Sequence, residues 1–554
     1  MKKTIALFFI IGFLVYFQSL FNGFVWDDLS GQILQNSVLY GFDKIPNLIF
    51  YHWGYYYKPV FYLVLNFIVT IFGESAFPFH LVQLIIHVAN TILLFLLFSK
   101  FFKKNISFIL ALVFLVHPAI SEAVLYISAL QDVLYPFFGL IALNIVVYDL
   151  NSKYKKYALL FLALSLLSKE TGIAFIVLVL VYKFLFNRLD FKKYFLFSTI
   201  FLSIYLFIRL IFLRISFFNP EFQSLWSYDI NLQTRLLTIP QIIFKYLTLF
   251  IWPEKLQVFQ LWWVRNINFS DFYFPFGIVV VLFILVMFYG LWLYKRFRKE
   301  SFAYFFFFLF AVTGFLLHLQ IIPLDMTFAE RWFYLPIIGI LGVIGFILNK
   351  YLISKRRIKL FVVLSVIIVL ALSIRTFMRS FDWHDQNTLV LHDFEVDKKN
   401  AGTYFLIVDY YINNKKYDKA KDAISHLYQL MPSNENVDIS LAHLYSKTGN
   451  VTAAEKIFRN SKKKIVKTNL QYALLLFKED PKKAEPVLKE ALKHFHESHE
   501  LFYFYSLVLY QMGEKDAAMN YIAKAKKLAP WIELYDESEK AMQSGKTVKL
   551  NVNY

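Results

Sequence analysis

Apolar runs of roughly 20 residues, each long enough to cross a bilayer, alternate with short polar breaks through the first 375 positions. The expected crossings are 4–20, 78–98, 106–117, 133–149, 157–168, 172–187, 191–213, 275–294, 301–321, 332–349 and 358–375. The first run, Thr4–Leu20, follows Lys2 and Lys3 and precedes no small-residue cleavage site, so it reads as a retained helix. Basic clusters at Lys2–Lys3, Lys100–Lys104, Lys153–Lys156, Lys183–Lys193, Lys295–Lys299 and Lys350–Lys359 sit at the ends of runs. Lysine and arginine beside a crossing favour the cytoplasmic side. Placing every cluster there gives eleven crossings and sends the C-terminal part outside. Two more apolar stretches, 57–72 and 236–252, must then dip into the outer leaflet or lie along it. The fold class expected is all-α: a polytopic membrane helical bundle of about 11–13 helices, then an α-solenoid.

The pattern changes after Arg375. Residues 396–545 are polar and lysine-rich, and they repeat: NNKKYDKAKDAI, SKTGNVTAAEKIF, KEDPKKAEPVL, QMGEKDAAMNYI. Ala420, Ala454, Ala484 and Ala518 hold one register at spacings of 34, 30 and 34, and Pro432 and Pro530 close the first and last units. That is the period of tetratricopeptide helix pairs, with a small residue where two helices meet. The expected domains are 1–380 in the membrane, with an outer loop 21–77, a linker at 381–400, and repeats at 401–545 on the extracytoplasmic side.

The chain is 58% hydrophobic with mean hydropathy +0.51, well above the soluble norm. The net charge of +19 lies at crossing ends, which argues against nucleic acid as a partner. The chain has no cysteine, which excludes disulfides and thiolate zinc sites. Phosphate-binding glycine loops, HExxH and GxSxG are also missing.

The threading gathers acids, histidines and several cations on one side. FVWDD opens the first outer loop, and Asp27 and Asp28 could act as a general base or hold a cation. Otherwise they are solvated loop charges. Lys58 precedes Pro59 at an apolar helix start and faces a phosphate or anchors the helix at the interface. His117, Glu122 and Asp132 lie along HPAISEAVLYISALQD, where such side chains at a membrane edge bind substrate hydroxyls, a phosphate or a metal, or else serve as a helix cap and interfacial polar groups. Lys169 and Glu170 in SKETG pair with each other or meet an anion. Arg331 in AERWFYLP can hold a phosphate through its planar fork, with Glu330 fixing it. Arg209 and Arg214 end the seventh crossing, where an idle arginine is costly. Acids, phosphate-binding cations and apolar grooves suit an enzyme using a lipid-linked phosphosugar, or a transporter of an anionic lipid.

The order of these motifs resembles the transmembrane and tetratricopeptide-repeat O-mannosyltransferase family, within the GT-C class. The resemblance rests on FVWDD, YKPV, FHLVQLIIHVAN, HPAISEAVLYISALQDVL, SKETG, ERWFYLP and FDWHDQNTL. It implies a polyprenyl-phosphate sugar donor and a protein or glycan acceptor hydroxyl on the outer face, with transfer by inversion. It implies a catalytic role for Asp27 or Asp28 and donor-phosphate contacts from Lys169, Arg209, Arg214 and Arg331. It further implies substrate contacts from Lys58, His117, Glu122, Asp132, Glu170 and Glu330. No cofactor is required by this scheme, although Asp27 and Asp28 could hold a divalent cation. Two positions depart from the family pattern: Lys58 and Val60 replace the arginine and leucine of YRPL, and Gln131 stands where an arginine is common. The repeats imply a protein partner. High Phe, Ile and Lys without Cys points to a prokaryotic inner membrane. The competing readings are a non-catalytic scaffold, or a flippase or ligase of lipid-linked glycans. A flippase would need polar residues at mid-depth, for which Asn66, Gln83, His87, Asn90 and His318 are the candidates.

Overall fold

The computed structural model describes residues 2–29, 33–34, 36–52, 56–148, 152–188, 190–215, 230–351, 355–432, 434–460, 466–495, 498–528, 532–546 and 548. Pro530 and residues 216–229 of the 214–274 loop lie outside them. The chain is all-helical, with one isolated bridge, Gln260 with Phe328, among the described residues. It divides into two compact units. The first takes in the described residues of 2–34, 41–217 and 227–396, and the second those of 35–40 and 397–554.

The first unit contains α1 (Lys2–Tyr16), α2 (Pro59–Phe72), α3 (Ala76–Ser99), α4 (Lys104–Val116), α5 (Leu130–Val147), α6 (Ser152–Ser168) and α7 (Ile173–Phe186). It continues with α8 (Phe191–Phe207), α9 (Leu232–Ile251), α10 (Phe274–Arg296), α11 (Arg298–Leu316), α12 (Pro336–Tyr351), α13 (Lys355–Asp382) and α14 (Gln386–Val396). Nine spans among the described residues are long and apolar enough to cross a membrane, and Leu232–Ile251 is one of them.

Contacts at the helix ends distinguish two ends of the bundle. At one end, Lys103 N–H donates to Asn349 (3.3 Å), Lys350 pairs with Glu300 (2.8 Å) and Lys155 with Asp190 (3.0 Å). The opposite end gathers the polar motifs. Helix α9 bonds at that second end: Arg235 donates to the carbonyls of Gln320 and Ile321, and the Phe250 carbonyl meets His117. Helix α2 bonds there as well, since Asn66 and Thr70 near its C-terminus bond Gly41 of the first loop while Lys58 starts it in the motif cluster. Pro59 at its first turn and Gly73 at φ +67 after its last fix its limits. Of the eleven crossings expected from the charge pattern, the short helices α4, α6 and α7 fall below the length of a full span among the described residues, while α9 reaches it. Gly339 and Gly342 of α12 let it close on α11, where a Cβ would meet Ala311 and Phe307.

The mid-depth polar side chains tie helices together. Gln83 donates to the carbonyls of Ala123 (2.6 Å) and Tyr126 (2.8 Å). Asn90 donates to Val133 (2.8 Å), and His87 meets both Tyr334 Oη (2.8 Å) and the Leu115 carbonyl (2.9 Å). His318 stacks on Trp332 and bonds the Gly314 carbonyl.

The segment expected as a linker, 381–400, is largely structured. Helix α13 runs to Asp382 and α14 follows, bonded to the first unit through Gln257 to the Asp393 carbonyl (2.9 Å) and Val258 N–H to Asp393 (2.7 Å).

The second unit stacks four helix pairs: Ala401–Asn413 with Tyr417–Leu430, Glu435–Lys447 with Val451–Asn460, Val466–Glu479 with Pro481–His494, and His499–Gln511 with Lys515–Leu528. Glu533–Gln543 follows them. Ala420, Ala454, Ala484 and Ala518 are all fully buried, which is why the repeat keeps them small. Gly449 (φ +81) and Gly513 (φ +86) make the turns within the second and fourth pairs. The first pair uses Lys415 in the same left-handed region at φ +57. In the third, Asp480 caps the helix that Pro481 opens, so no turn glycine is needed.

Candidate active site

Most of the polar motif residues of the first unit meet at one end of the bundle, on six different chain segments. The first loop enters through Trp26, whose φ of +53 is a left-handed conformation rare outside glycine. Such strain costs on the order of 1–3 kcal/mol and persists only where the surroundings hold it. Here the indole stacks on Tyr126 (5.9 Å) and meets Phe259 edge-on (5.5 Å), and the Trp26 N–H donates to Gln386 (2.7 Å).

The forced turn sends the next two acids to different fates. Asp28 is buried and its carboxylate is filled. It accepts from Val25 N–H (3.1 Å), Ser128 N–H (2.8 Å) and Ser128 Oγ–H (2.5 Å). Burial still pushes its carboxyl up to about 7. It staples the first loop to the turn at 127–129. Asp27 stays partly exposed. Its N–H donates to Tyr126 Oη (3.2 Å), and the Tyr126 hydroxyl donates to its carboxylate. Desolvation raises the Asp27 carboxyl, while the charges of Arg331 and Lys58 oppose the rise and that of Asp325 adds to it.

A divalent cation bridging Asp27 and Asp28 would have to displace the three donors on Asp28. Among the described residues, no group of three or more His, Asp or Glu side chains is placed to hold a metal ion. The donor set does not fit such a cation.

The cations are arranged around this pair. Arg331 binds Glu122 twice, through its guanidinium and through its N–H (2.9 Å), and lies over the Tyr126 ring (5.8 Å). Lys169 pairs with Asp132 (2.5 Å), and Arg209 with Glu170 (2.6 Å) and Tyr205 Oη (3.2 Å). Thus Lys169 and Glu170, neighbours in sequence, do not pair with each other; each reaches another helix. Glu330 does not fix Arg331 either. It accepts from the Gln257 N–H and faces Arg379 (3.8 Å), while Glu122 takes the arginine.

Lys58 differs from the other three cations. It is buried, over the rings of Tyr56 (4.3 Å) and Phe61 (4.9 Å), and has no ion pair among the described residues. Burial lowers its ammonium to about 8, with Glu170, Asp132 and Asp27 near enough to oppose the shift.

Two predicted contacts lie apart from this cluster. His117 spends both ring nitrogens within the protein, on Ala119 N–H (3.2 Å) and the Phe250 carbonyl (3.0 Å), and stacks on Phe250. Burial lowers it to about 4, so it is a neutral tie. Arg214 is exposed, at φ +55 after the helix end. Sequence reasoning passed over Tyr126, Ser128, Asp325 and Arg379. Asp325 was within reach, because it stands in the same outer segment as Arg331. Tyr126 and Ser128 carry no charge, and only the fold aims them at the two acids.

Residues 58–212 match the dolichyl-phosphate-mannose-protein mannosyltransferase family, and residues 499–530 match the tetratricopeptide repeat. The first match runs from Lys58 past Arg209 and so includes the Lys169–Asp132 and Arg209–Glu170 pairs, but only Glu122 of the Arg331–Glu122 pair. Among curated proteins, the chain is similar to a protein O-mannosyl-transferase of Caenorhabditis elegans, 24% identical over 437 residues, covering 73% of this chain and 59% of that one. The chain thus spans less than two thirds of the relative's length.

Proposed function

We propose that this polytopic membrane chain, of the tetratricopeptide-containing O-mannosyltransferase kind, is a glycosyltransferase. It moves a sugar from a polyprenyl-phosphate donor to an acceptor hydroxyl on a protein or glycan. The observation that carries the reading is the difference between the adjacent acids: Asp28 is consumed by the fold, while Asp27 faces the cluster beside cations.

The acceptor hydroxyl attacks the anomeric carbon from the face opposite the phosphate. Its proton passes to Asp27 as the new glycosidic bond forms, and the bond from the anomeric carbon to the phosphate oxygen breaks. The configuration inverts. The lipid phosphate leaves with one more negative charge than it held as a diester. Lys58 is the cation best suited to meet that charge, because no carboxylate has claimed it among the described residues, and Arg331 adds its field. Lys169 and Arg209 hold Asp132 and Glu170 in place and so shape the same wall. With the lysine-rich end of the bundle in the cytoplasm, the site faces the extracytoplasmic side. The repeats then bring a protein partner to that side.

The test is turnover. Purified chain in lipid nanodiscs is given a panel of radiolabelled polyprenyl-phosphate monosaccharides with envelope extract as acceptor. Transfer or donor hydrolysis is expected with at least one sugar. Folded protein inert toward the whole panel would contradict the proposal.

A further inference from the structure

The three ion pairs of the site satisfy most of its carboxylate oxygens but not all. Oδ1 of Asp132 meets Lys169, and its buried Oδ2 has no hydrogen-bond partner among the described residues. A buried carboxylate oxygen left bare costs about 1–3 kcal/mol unless something donates to it. The second acid is Asp325. It is partly exposed, makes no hydrogen bond or ion pair among the described residues, and yet lies near enough to Arg331 and Asp27 for its charge to act on both.

Asp325 is not on a loose loop. Gln320, in the left-handed region at φ +59, donates from its side-chain amide to the carbonyls of Met326 (2.7 Å) and Thr327 (3.2 Å) and accepts from Leu324 N–H (3.2 Å). That closes 320–327 on itself. Thr327 then fastens the loop to a neighbouring segment, N–H to Gln260 O (3.0 Å) and Oγ–H to Trp262 O (2.7 Å), while Trp262 N–H returns to Thr327 Oγ (3.1 Å). The same segment carries Phe259, which packs on Trp26 beside Asp27. So a carboxylate with no hydrogen-bond donor among the described residues sits in a fixed loop, pinned to the segment that packs on Trp26 beside Asp27. A solvated charge would need no such mounting.

We propose that Asp325, with the bare Oδ2 of Asp132, accepts hydrogen bonds from hydroxyls of the transferred sugar and so selects the donor headgroup. The inference rests on the glycosyltransferase reading. Its ligand is a neutral polyhydroxylated ring, which brings donors and no charge. A phosphate at the same place would be repelled.

The experiment compares binding of two lipids to the full chain in nanodiscs: polyprenyl-phosphate mannose, and polyprenyl phosphate without sugar. Asp325→Asn and Asp325→Ala are each measured. A hydrogen bond to a charged acceptor carries roughly a 10- to 100-fold change in affinity. The expected result is that Asp325→Ala loses about 10-fold or more for the sugar-bearing lipid, while the bare lipid binds as well or more tightly, since a negative charge has gone. Asp325→Asn, which keeps one acceptor oxygen, is expected to fall between. Discrimination among sugar epimers should narrow in both. Equal loss for the two lipids would make Asp325 a structural residue and overturn the inference, as would wild-type behaviour of both variants. A wild type that binds neither lipid overturns the glycosyltransferase reading and this inference with it. A wild type that binds both while Asp325→Ala is unaltered overturns the inference alone.

Discussion

The two ends of the membrane bundle are both charged, yet they are built differently. At the lysine-rich end, Lys350–Glu300 leaves its side chains 29% and 44% exposed, and Lys155–Asp190 is similar. At the other end, the side chains of Arg331–Glu122 are 9% and 0% exposed, and those of Lys169–Asp132 13% and 2%. Exposed pairs near water contribute little and anchor helix ends by their charge alone. Buried pairs carry a desolvation cost that apolar side chains would avoid, so stability does not explain them. Their presence at a single end marks where charge is used.

The largest expected effect comes from breaking a buried pair. Glu122→Ala should strand Arg331 and destabilise the first unit by about 3–5 kcal/mol, read as a fall in thermal midpoint in detergent, and should abolish turnover. Glu122→Gln, which keeps the shape and one acceptor, should fold better but remain inactive. If both variants unfold and act as the wild type does, the two ends do not differ as described.

A smaller effect is expected at Lys58. Lys58→Met should weaken donor binding about 10- to 100-fold with little loss of fold. The pH dependence has a definite sign. The ammonium is protonated below about 8, so donor affinity should be full below that value and fall as pH rises through it. Lys58→Arg should bind donor without that fall, because a guanidinium stays charged. A wild-type affinity flat from pH 6 to 10 would remove Lys58 from the phosphate site.

The smallest effects belong to the opposite end. Lys350→Ala and Lys155→Ala should each change stability by about 0.5 kcal/mol or less and leave turnover unchanged. A loss there as large as that of Glu122→Ala would erase the contrast.

Much of the fold could be read in the sequence. The apolar runs gave the helices, although α9, which the basic clusters set outside the crossings, is long and apolar enough to be one. The alanine register gave the repeats because tight helix pairing leaves room for nothing larger. The site was legible as a set of residues, not as a set of partners. Lys169 and Glu170 look paired in sequence, but a helix end turns them toward Asp132 and Arg209. Glu330 and Arg331 diverge in the same way. Asp27 and Asp28 are chemically identical neighbours, and what separates them is Ser128, 100 positions away. Local pattern fixes elements, whereas the partners of a charge come from packing between elements remote in sequence.

The most direct test of the account is single-turnover transfer by Asp27→Asn and Asp28→Asn side by side, with the fold of each checked by its thermal midpoint. The account predicts that Asp27→Asn keeps the wild-type midpoint and loses about 100- to 10,000-fold in rate, the range for removing a general base. Asp28→Asn should lower the midpoint and retain measurable transfer in the folded fraction. A stable but inactive Asp28→Asn beside an active Asp27→Asn would contradict it.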